Sequence, residues 1–236
     1  MASSSVARRE LRKAVDPDDA VMMRAAEMAQ WARNNARAVL ISVVVALAVV
    51  GGVLYYRIYQ SQRAERAAIQ YLSVQATLPE DTTAAIRSLD AFASRFDGTT
   101  EAAEARLQVA QLWMDKGQPA KAVEAVRPVA EGSTPVADEG AWILGSAQAQ
   151  AGRGQQAVDT FVKLAERTKL QYMKHDALTE AAALREQAND WRGAADLYAR
   201  AAQGMEKGSQ DRAVVEMHLA EARARAGLPP APPAGQ

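Results

Sequence analysis

The stretch from Ala38 to Tyr56 constrains the chain most, because it reads AVLISVVVALAVVGGVLYY and holds 19 residues without a charge. At about 1.5 Å per residue, a helix of this length reaches roughly 28 Å, close to the ~30 Å hydrocarbon core of a bilayer. A helix also satisfies its own backbone polar groups, as lipid requires. Arg37 and Arg57 flank the run. The sequence therefore predicts one transmembrane helix over residues 38–56, in contact with the lipid bilayer.

This apolar run is expected to be a retained anchor rather than a cleaved signal peptide. A signal peptide has an apolar region of about 7–15 residues near the N-terminus, followed by small residues at the cleavage site. Here the run is longer, it follows a tail of 37 residues, and the sequence after it is Arg-Ile-Tyr. The chain has no cysteine, so a lipoprotein signal is excluded.

The orientation of the anchor is predicted from the two flanks of the span. Lys and Arg within about 20 residues of the span are equally numerous on its two sides. A short basic tail resists translocation, however, whereas a long domain crosses largely regardless of its charge. The N-terminal tail, residues 1–37, is therefore expected in the cytoplasm. The rest of a single-pass protein of the bacterial inner (plasma) membrane would lie in the periplasm.

The tail offers two interpretations. Asp16-Pro17 is typical of a helix start, with a capping acid before a proline in the first turn. The residues that follow form either an amphipathic helix on the inner leaflet or a plain helical approach to the span. Glu27 and the many small alanines weaken the apolar face and favour the plain approach.

The region after the span repeats itself. Helix-breaking residues recur between helical segments of about 12–16 residues. The leading alanines of the second helices lie 37, 35 and 37 residues apart. They are Ala85, Ala122, Ala157 and Ala194. Each is followed by an apolar residue four and seven positions later, the spacing of one helix face. A period of this length indicates a stack of helix pairs.

These units resemble the tetratricopeptide repeat, a helix–turn–helix of about 34 residues. Small residues at matching positions allow close helix packing, and larger residues fill the gaps between units. The small residues are Ala110, Gly145 and Ala182 in the first helices, then Ala122, Ala157 and Ala194; the larger are Trp113, Phe161 and Tyr198. The predicted fold is all-α: the transmembrane helix, then an α-solenoid over residues 57–227 of about four pairs.

The last helix is expected to cap this solenoid. It spans residues 211–226, and a proline-rich tail follows over residues 228–236. A terminal element needs a polar outer face, because no further repeat covers it. Its apolar residues are Val214, Met217, Leu219, Ala220 and Ala224.

The whole layout resembles the YfgM-type family of bacterial inner-membrane proteins. Trp31-Ala32-Arg33-Asn34-Asn35 before the span and Tyr55-Tyr56-Arg57 after it carry the resemblance, which covers residues 28–226. The resemblance implies an ancillary subunit of the Sec translocon (SecYEG) that assists periplasmic chaperones in receiving exported proteins. The alternative is a structural scaffold or adaptor of another cell-envelope assembly.

The sequence shows no catalytic motif. His175 and His218 are the only histidines, and no cysteine is present to complete a zinc site. No G-x-S-x-G supports a hydrolase, which is the third hypothesis. We therefore expect no enzyme activity, no cofactor or metal, and no small-molecule substrate. Lys and Arg balance Asp and Glu at 28 each, so nucleic acid is not an expected partner.

The function is therefore expected to reside in a protein-binding surface. First helices of stacked repeats form a concave face that commonly holds peptides. The candidate residues on that face are Gln111, Met114, Asp115, Trp142, Ser146, Gln150, Thr179 and Glu186. Trp142 has two interpretations: an aromatic anchor in the groove, or a core residue, as tryptophans are buried on average.

Overall fold

A computed structural model describes residues 30–31, 33–132 and 134–230. Most of the predicted N-terminal tail, including the Asp16-Pro17 helix start, and of the proline-rich tail lies outside the described residues. Within these ranges all regular secondary structure is helical. The helices with both ends described are α1 (Ala36–Ala76), α2 (Thr82–Arg95), α3 (Thr100–Asp115), α4 (Pro119–Ala130), α5 (Ala137–Gln150), α6 (Gly154–Arg167), α7 (Gln171–Gln187), α8 (Trp191–Gln203) and α9 (Gln210–Arg225).

Helix α1 contains the predicted span. Of the helices in the described ranges, it is the one long and apolar enough to cross a membrane, judged by length and composition. None of its apolar window is buried within the chain, and Leu40 and Leu47 are 64% and 66% exposed. This part of α1 belongs to the first of two compact units, residues 1–60.

The second compact unit, residues 61–236, is a stack of paired helices. Each helix from α2 to α8 packs against the next along the chain, and the first helices α3 and α5 of neighbouring pairs also touch. Helix α3 pairs with α4, α5 with α6, and α7 with α8, before α9 ends the stack. The predicted fold class is confirmed: an all-α chain in which a long apolar helix is followed in sequence by a solenoid of helix pairs.

The turn within each pair has the same geometry in all three pairs. Each turn contains one residue in the left-handed region of φ, and this residue ends the first helix. These residues are Gly117, Gly152 and Asn189, with φ of 66, 73 and 59°. The next N–H donates to the carbonyl five residues back, at 2.8–2.9 Å. This recurrence at intervals of 35 and 37 residues confirms the repeat phase that the sequence predicts.

Small residues lie where the paired helices meet, as predicted. Ala122, Ala157 and Ala194 are fully buried. A Cβ added to Gly145 would lie 2.8–3.0 Å from three ring carbons of Phe161, which is itself 2% exposed. Helices α5 and α6 therefore approach so closely that any side chain at position 145 would force the Phe161 ring to shift. Burial of these side chains, roughly 25 cal/mol per Å² of apolar surface, holds the stack together.

Two hydrophobic clusters fill the stack. The larger extends from α3 to α9 and includes Phe161 and Tyr198, whereas Trp113 is only partly buried against it. The smaller joins the C-terminal part of α1 to α2 and α3. In the smaller cluster the rings of Tyr71 and Phe92 are 5.4 Å apart. The C-terminal part of α1 thus contributes to the core at the start of the stack.

Helix α9 turns only some of its apolar residues toward the stack. Of those named above, Leu219 is buried, but Val214 and Met217 are 46% and 59% exposed. Val215 and Ala222 face the stack instead. Positions 215, 219 and 222 are four and three residues apart, so they share the face of α9 that packs against α8. The outer face of the last helix is consequently not purely polar.

Candidate functional site

The eight candidate binding residues all lie on the first helices of the three complete pairs. Helix α3 carries Gln111, Met114 and Asp115, α5 carries Trp142, Ser146 and Gln150, and α7 carries Thr179 and Glu186. Among them Gln111, Asp115 and Gln150 are exposed, and the others are partly buried. Met114 packs against the larger hydrophobic cluster. The exposed set is therefore smaller than the sequence-derived set.

Trp142 combines features of both of its interpretations. Its ring meets that of Phe161 edge to face, with centroids 5.3 Å apart and an interplanar angle of 66°. Such pairs contribute about 0.5–1.5 kcal/mol beyond their buried area. The side chain is nevertheless only partly buried. The Ser146 hydroxyl donates to the Trp142 carbonyl at 3.0 Å, within the same helix.

The two candidates on α7 are occupied within the fold. The Thr179 hydroxyl donates to the His175 carbonyl at 2.9 Å. One carboxylate oxygen of Glu186 is buried without a hydrogen-bond partner. Burial, and after it the nearby Glu186 carboxylate, raises the pKa of the buried Tyr198 hydroxyl. The Tyr198 ring stacks on His218 with centroids 5.4 Å apart. Glu186 therefore interacts with the buried Tyr198 side chain of α8.

The described part of the chain has cavities on the second helices of the pairs. A cavity of about 430 Å³ lies between α4, α5 and α6, and one of about 510 Å³ lies between α6, the end of α7, and α8. A smaller one, about 290 Å³, lies near the start of α3. None of the eight candidates lines any of the three.

The residues lining the 430 Å³ cavity were missed by the sequence reasoning. They include basic residues of α4 and α6, among them Arg127 and Lys163. Arg127, Lys163 and Arg200 recur on successive second helices at intervals of 36 and 37 residues. That periodic basic signal was available from the sequence. No group of three or more His, Cys, Asp or Glu that could hold a metal occurs in the described ranges.

Comparisons with known proteins agree with this fold. A family model described as a tetratricopeptide repeat-like domain matches residues 29–224. Among solved structures, the crystal structure of MamA protein matches with a TM-score of 0.51 and 19% identity, covering 70% of this chain and 85% of that one. The apo form of RapI matches with a TM-score of 0.48 and 11% identity, covering 72% and 64%. No curated protein matches the chain.

Proposed function

Because the chain belongs to the tetratricopeptide repeat-like domain family, we propose that it is a membrane-anchored protein-interaction module. The observation that carries this proposal is the stack of tightly packed helix pairs, of which α3, α5 and α7 are the first helices. Stacked repeats of this kind create extended surfaces that bind other polypeptides. The anchor would hold such a surface close to a bilayer.

The anchoring part of the proposal rests on the apolar window of α1. Its large aliphatic side chains are about half to two-thirds exposed, an apolar surface that a lipid phase would cover. We assign residues 38–56 to the membrane, 1–37 to the cytoplasm and 57–227 to the periplasmic solenoid, followed by the tail 228–236. The basic tail and the length of the domain after the span support this orientation.

The binding surface is assigned to the exposed polar residues of the first helices with an aromatic beside them. Gln111, Asp115 and Gln150 are free to contact a partner, and the exposed part of Trp142 would serve as an anchor. Met114, Ser146, Thr179 and Glu186 support that surface from below, since each is partly buried.

The partner assignment comes from the sequence resemblance. The residues flanking the span resemble the YfgM-type family, which supports an ancillary role at the Sec translocon in handing exported proteins to periplasmic chaperones. A scaffold in another cell-envelope assembly would use the same surface with different partners. In-cell crosslinking separates the two roles, because each names a different set of neighbours.

The test places a photoreactive amino acid at Gln111 or Gln150 in the full chain, expressed in bacterial cells. Crosslinks to translocon subunits or periplasmic chaperones are expected from these exposed positions. The same residue at Asp196, exposed on the second helix α8, is the matched control and should not give those products. Envelope proteins other than these would favour the scaffold, and equal products from all three positions would refute a binding face on the first helices.

A further inference from the structure

The cavity between α4, α5 and α6 concentrates positive charge. Four cations line it: Arg127, Arg153, Lys163 and Arg167. Arg167 is engaged, because it donates to the Asp138 carboxylate at 3.0 Å and to two main-chain carbonyls. The side chains of the other three cations make no ion pair or hydrogen bond with any described residue. Unpaired cations around one concave surface favour an anionic ligand.

The acidic residues of this cavity do not neutralise those cations. Two carboxylates, Glu131 and Asp159, share the lining, and Asp159 accepts a hydrogen bond from Gln155 at 2.8 Å. The neighbouring cavity between α6 and α8 differs. There Arg185 pairs with Asp190 at 2.9 Å, and Arg200 pairs with Glu166 at 3.6 Å. Lys163 lines both cavities, so among the described residues the first cavity holds three unpaired cations and the second holds Lys163 alone.

A buried amide adds a neutral donor to the same cavity. Gln148 on α5 is only 6% exposed, and its side-chain oxygen accepts a hydrogen bond from the Thr160 hydroxyl at 2.7 Å. Its side-chain nitrogen has no partner among the described residues, yet it is not among the fully buried polar atoms. It is thus accessible to an acceptor inside the cavity. A peptide carbonyl is an acceptor of this kind.

The spacing of the cations distinguishes a chain from a single anion. Arg153 and Lys163 are ten residues apart along α6, which corresponds to about 15 Å of helix. Two cations whose backbones are this far apart suit two anionic groups better than a single one. An extended peptide rises about 3.3 Å per residue, so carboxylates about four or five residues apart reach both. Apolar walls, among them Leu144 and Leu164, suit the intervening side chains.

We propose that this cavity binds an extended acidic peptide segment of a partner protein. Its carboxylates pair with Arg127, Arg153 and Lys163, and its backbone accepts a hydrogen bond from the Gln148 amide. Its cations lie on α4, on α6 and just before α6, and none of its lining residues belongs to the surface proposed above. The two surfaces can therefore bind different segments of one partner.

The test uses the full chain in mild detergent and a short fluorescein-labelled peptide of Ala, Ser and Glu, with Glu at about every fourth position. Fluorescence anisotropy gives its Kd. The triple variant Arg127→Gln, Arg153→Gln and Lys163→Gln should weaken binding about tenfold, since each exposed ion pair contributes a few-fold. A peptide with Gln in place of Glu should bind about as weakly as this.

The matched control is Arg200→Gln, which removes the same charge from the neighbouring cavity, where the cation is paired. It should leave the Kd within about twofold. Equal affinity for the Glu and Gln peptides, or an unchanged Kd in a triple variant with normal circular dichroism, would overturn the proposal. So would displacement of the peptide by inorganic phosphate beyond that by chloride at equal ionic strength, which would indicate a small-anion site.

The outcome is independent of the function proposed above. Neither Gln111 nor Gln150 lines this cavity, although Gln150 shares helix α5 with Gln148. Gln111→Ala and Gln150→Ala should therefore leave the affinity for the acidic peptide unchanged. If the peptide fails to bind while crosslinks from Gln111 and Gln150 persist, the cavity assignment alone is wrong. If the peptide binds and those crosslinks are absent, the first-helix surface alone is wrong.

Discussion

Replacing Gly145 by alanine tests whether close helix packing holds the solenoid together. The new methyl would lie 2.8 Å from Cζ and 2.9 and 3.0 Å from the two Cε atoms of Phe161, against an optimum of about 3.5–4.0 Å. The ring is 2% exposed and has Trp142 against it, so it has little room to move. Overpacking of this kind destabilises by about 1–3 kcal/mol.

A second effect opposes the overpacking. Alanine is about 1 kcal/mol more favourable than glycine inside a helix. The net expectation for Gly145→Ala is therefore a loss of about 1 kcal/mol in the free energy of unfolding. Phe161→Leu removes part of the ring that the methyl meets, so the double variant should show a coupling of about 1 kcal/mol.

The measurement is urea unfolding of the full chain in mild detergent, followed by circular dichroism at 222 nm. Gly154→Ala is the matched control, because an added Cβ there meets no atom within 4 Å. It should be neutral or stabilising by up to about 1 kcal/mol. If Gly145→Ala is also stabilising by about 1 kcal/mol, and additive with Phe161→Leu, the packing argument is refuted.

Three further perturbations test other parts of the solenoid by the same unfolding measurement. Asn189 has a φ of 59°, which a β-branched side chain adopts only with strain, so Asn189→Val should destabilise the fold by about 1–2 kcal/mol and Asn189→Gly should not. Equal effects of the two substitutions would contradict the turn assignment. Arg167→Ala removes hydrogen bonds to Asp138 and to two main-chain carbonyls and should destabilise the fold by about 1–3 kcal/mol, and Arg167→Lys should not restore the loss. Unchanged stability of Arg167→Ala would show that water replaces these contacts without cost. The raised pKa of Tyr198 means that the folded state keeps its proton when the unfolded state has lost it. Stability should fall by up to about 1.4 kcal/mol per unit above pH 10.0, and Tyr198→Phe should reduce that slope, whereas an identical slope would refute the assignment.

The sequence alone was sufficient for the features that depend on local chemistry. The uncharged run of 19 residues specifies a long apolar helix through its length and composition. Gly117 and Gly152 specify turns, because glycine adopts positive φ without strain. The alanines Ala122, Ala157 and Ala194 are informative because they repeat, and a period of 35 to 37 residues has meaning without coordinates.

Asn189 shows where the turn signal becomes weaker. It occupies the same left-handed position as the two glycines, but asparagine is common in many other settings. Only its phase with respect to the repeats identified the turn. The prediction held because Asn tolerates this conformation better than other residues with a side chain.

Features that depend on helix rotation were decided only by the tertiary structure. Helix α9 turns Val215 to the stack and leaves Val214 exposed, although both are equally apolar. Glu186 interacts with the buried Tyr198 rather than with solvent alone. A rotation of one residue moves a side chain by about 100°, and apolar periodicity in an alanine-rich helix is too weak to fix it.

The charged cavity depends on more than one helix, and this explains why the sequence did not reveal it. Arg127 and Lys163 are 36 residues apart and share a cavity because α4 and α6 both pack against α5. Local sequence determined the helices, the turns and the repeat. The stagger between neighbouring pairs determined which side chains share a cavity, because it results from the packing of all their buried surfaces at once.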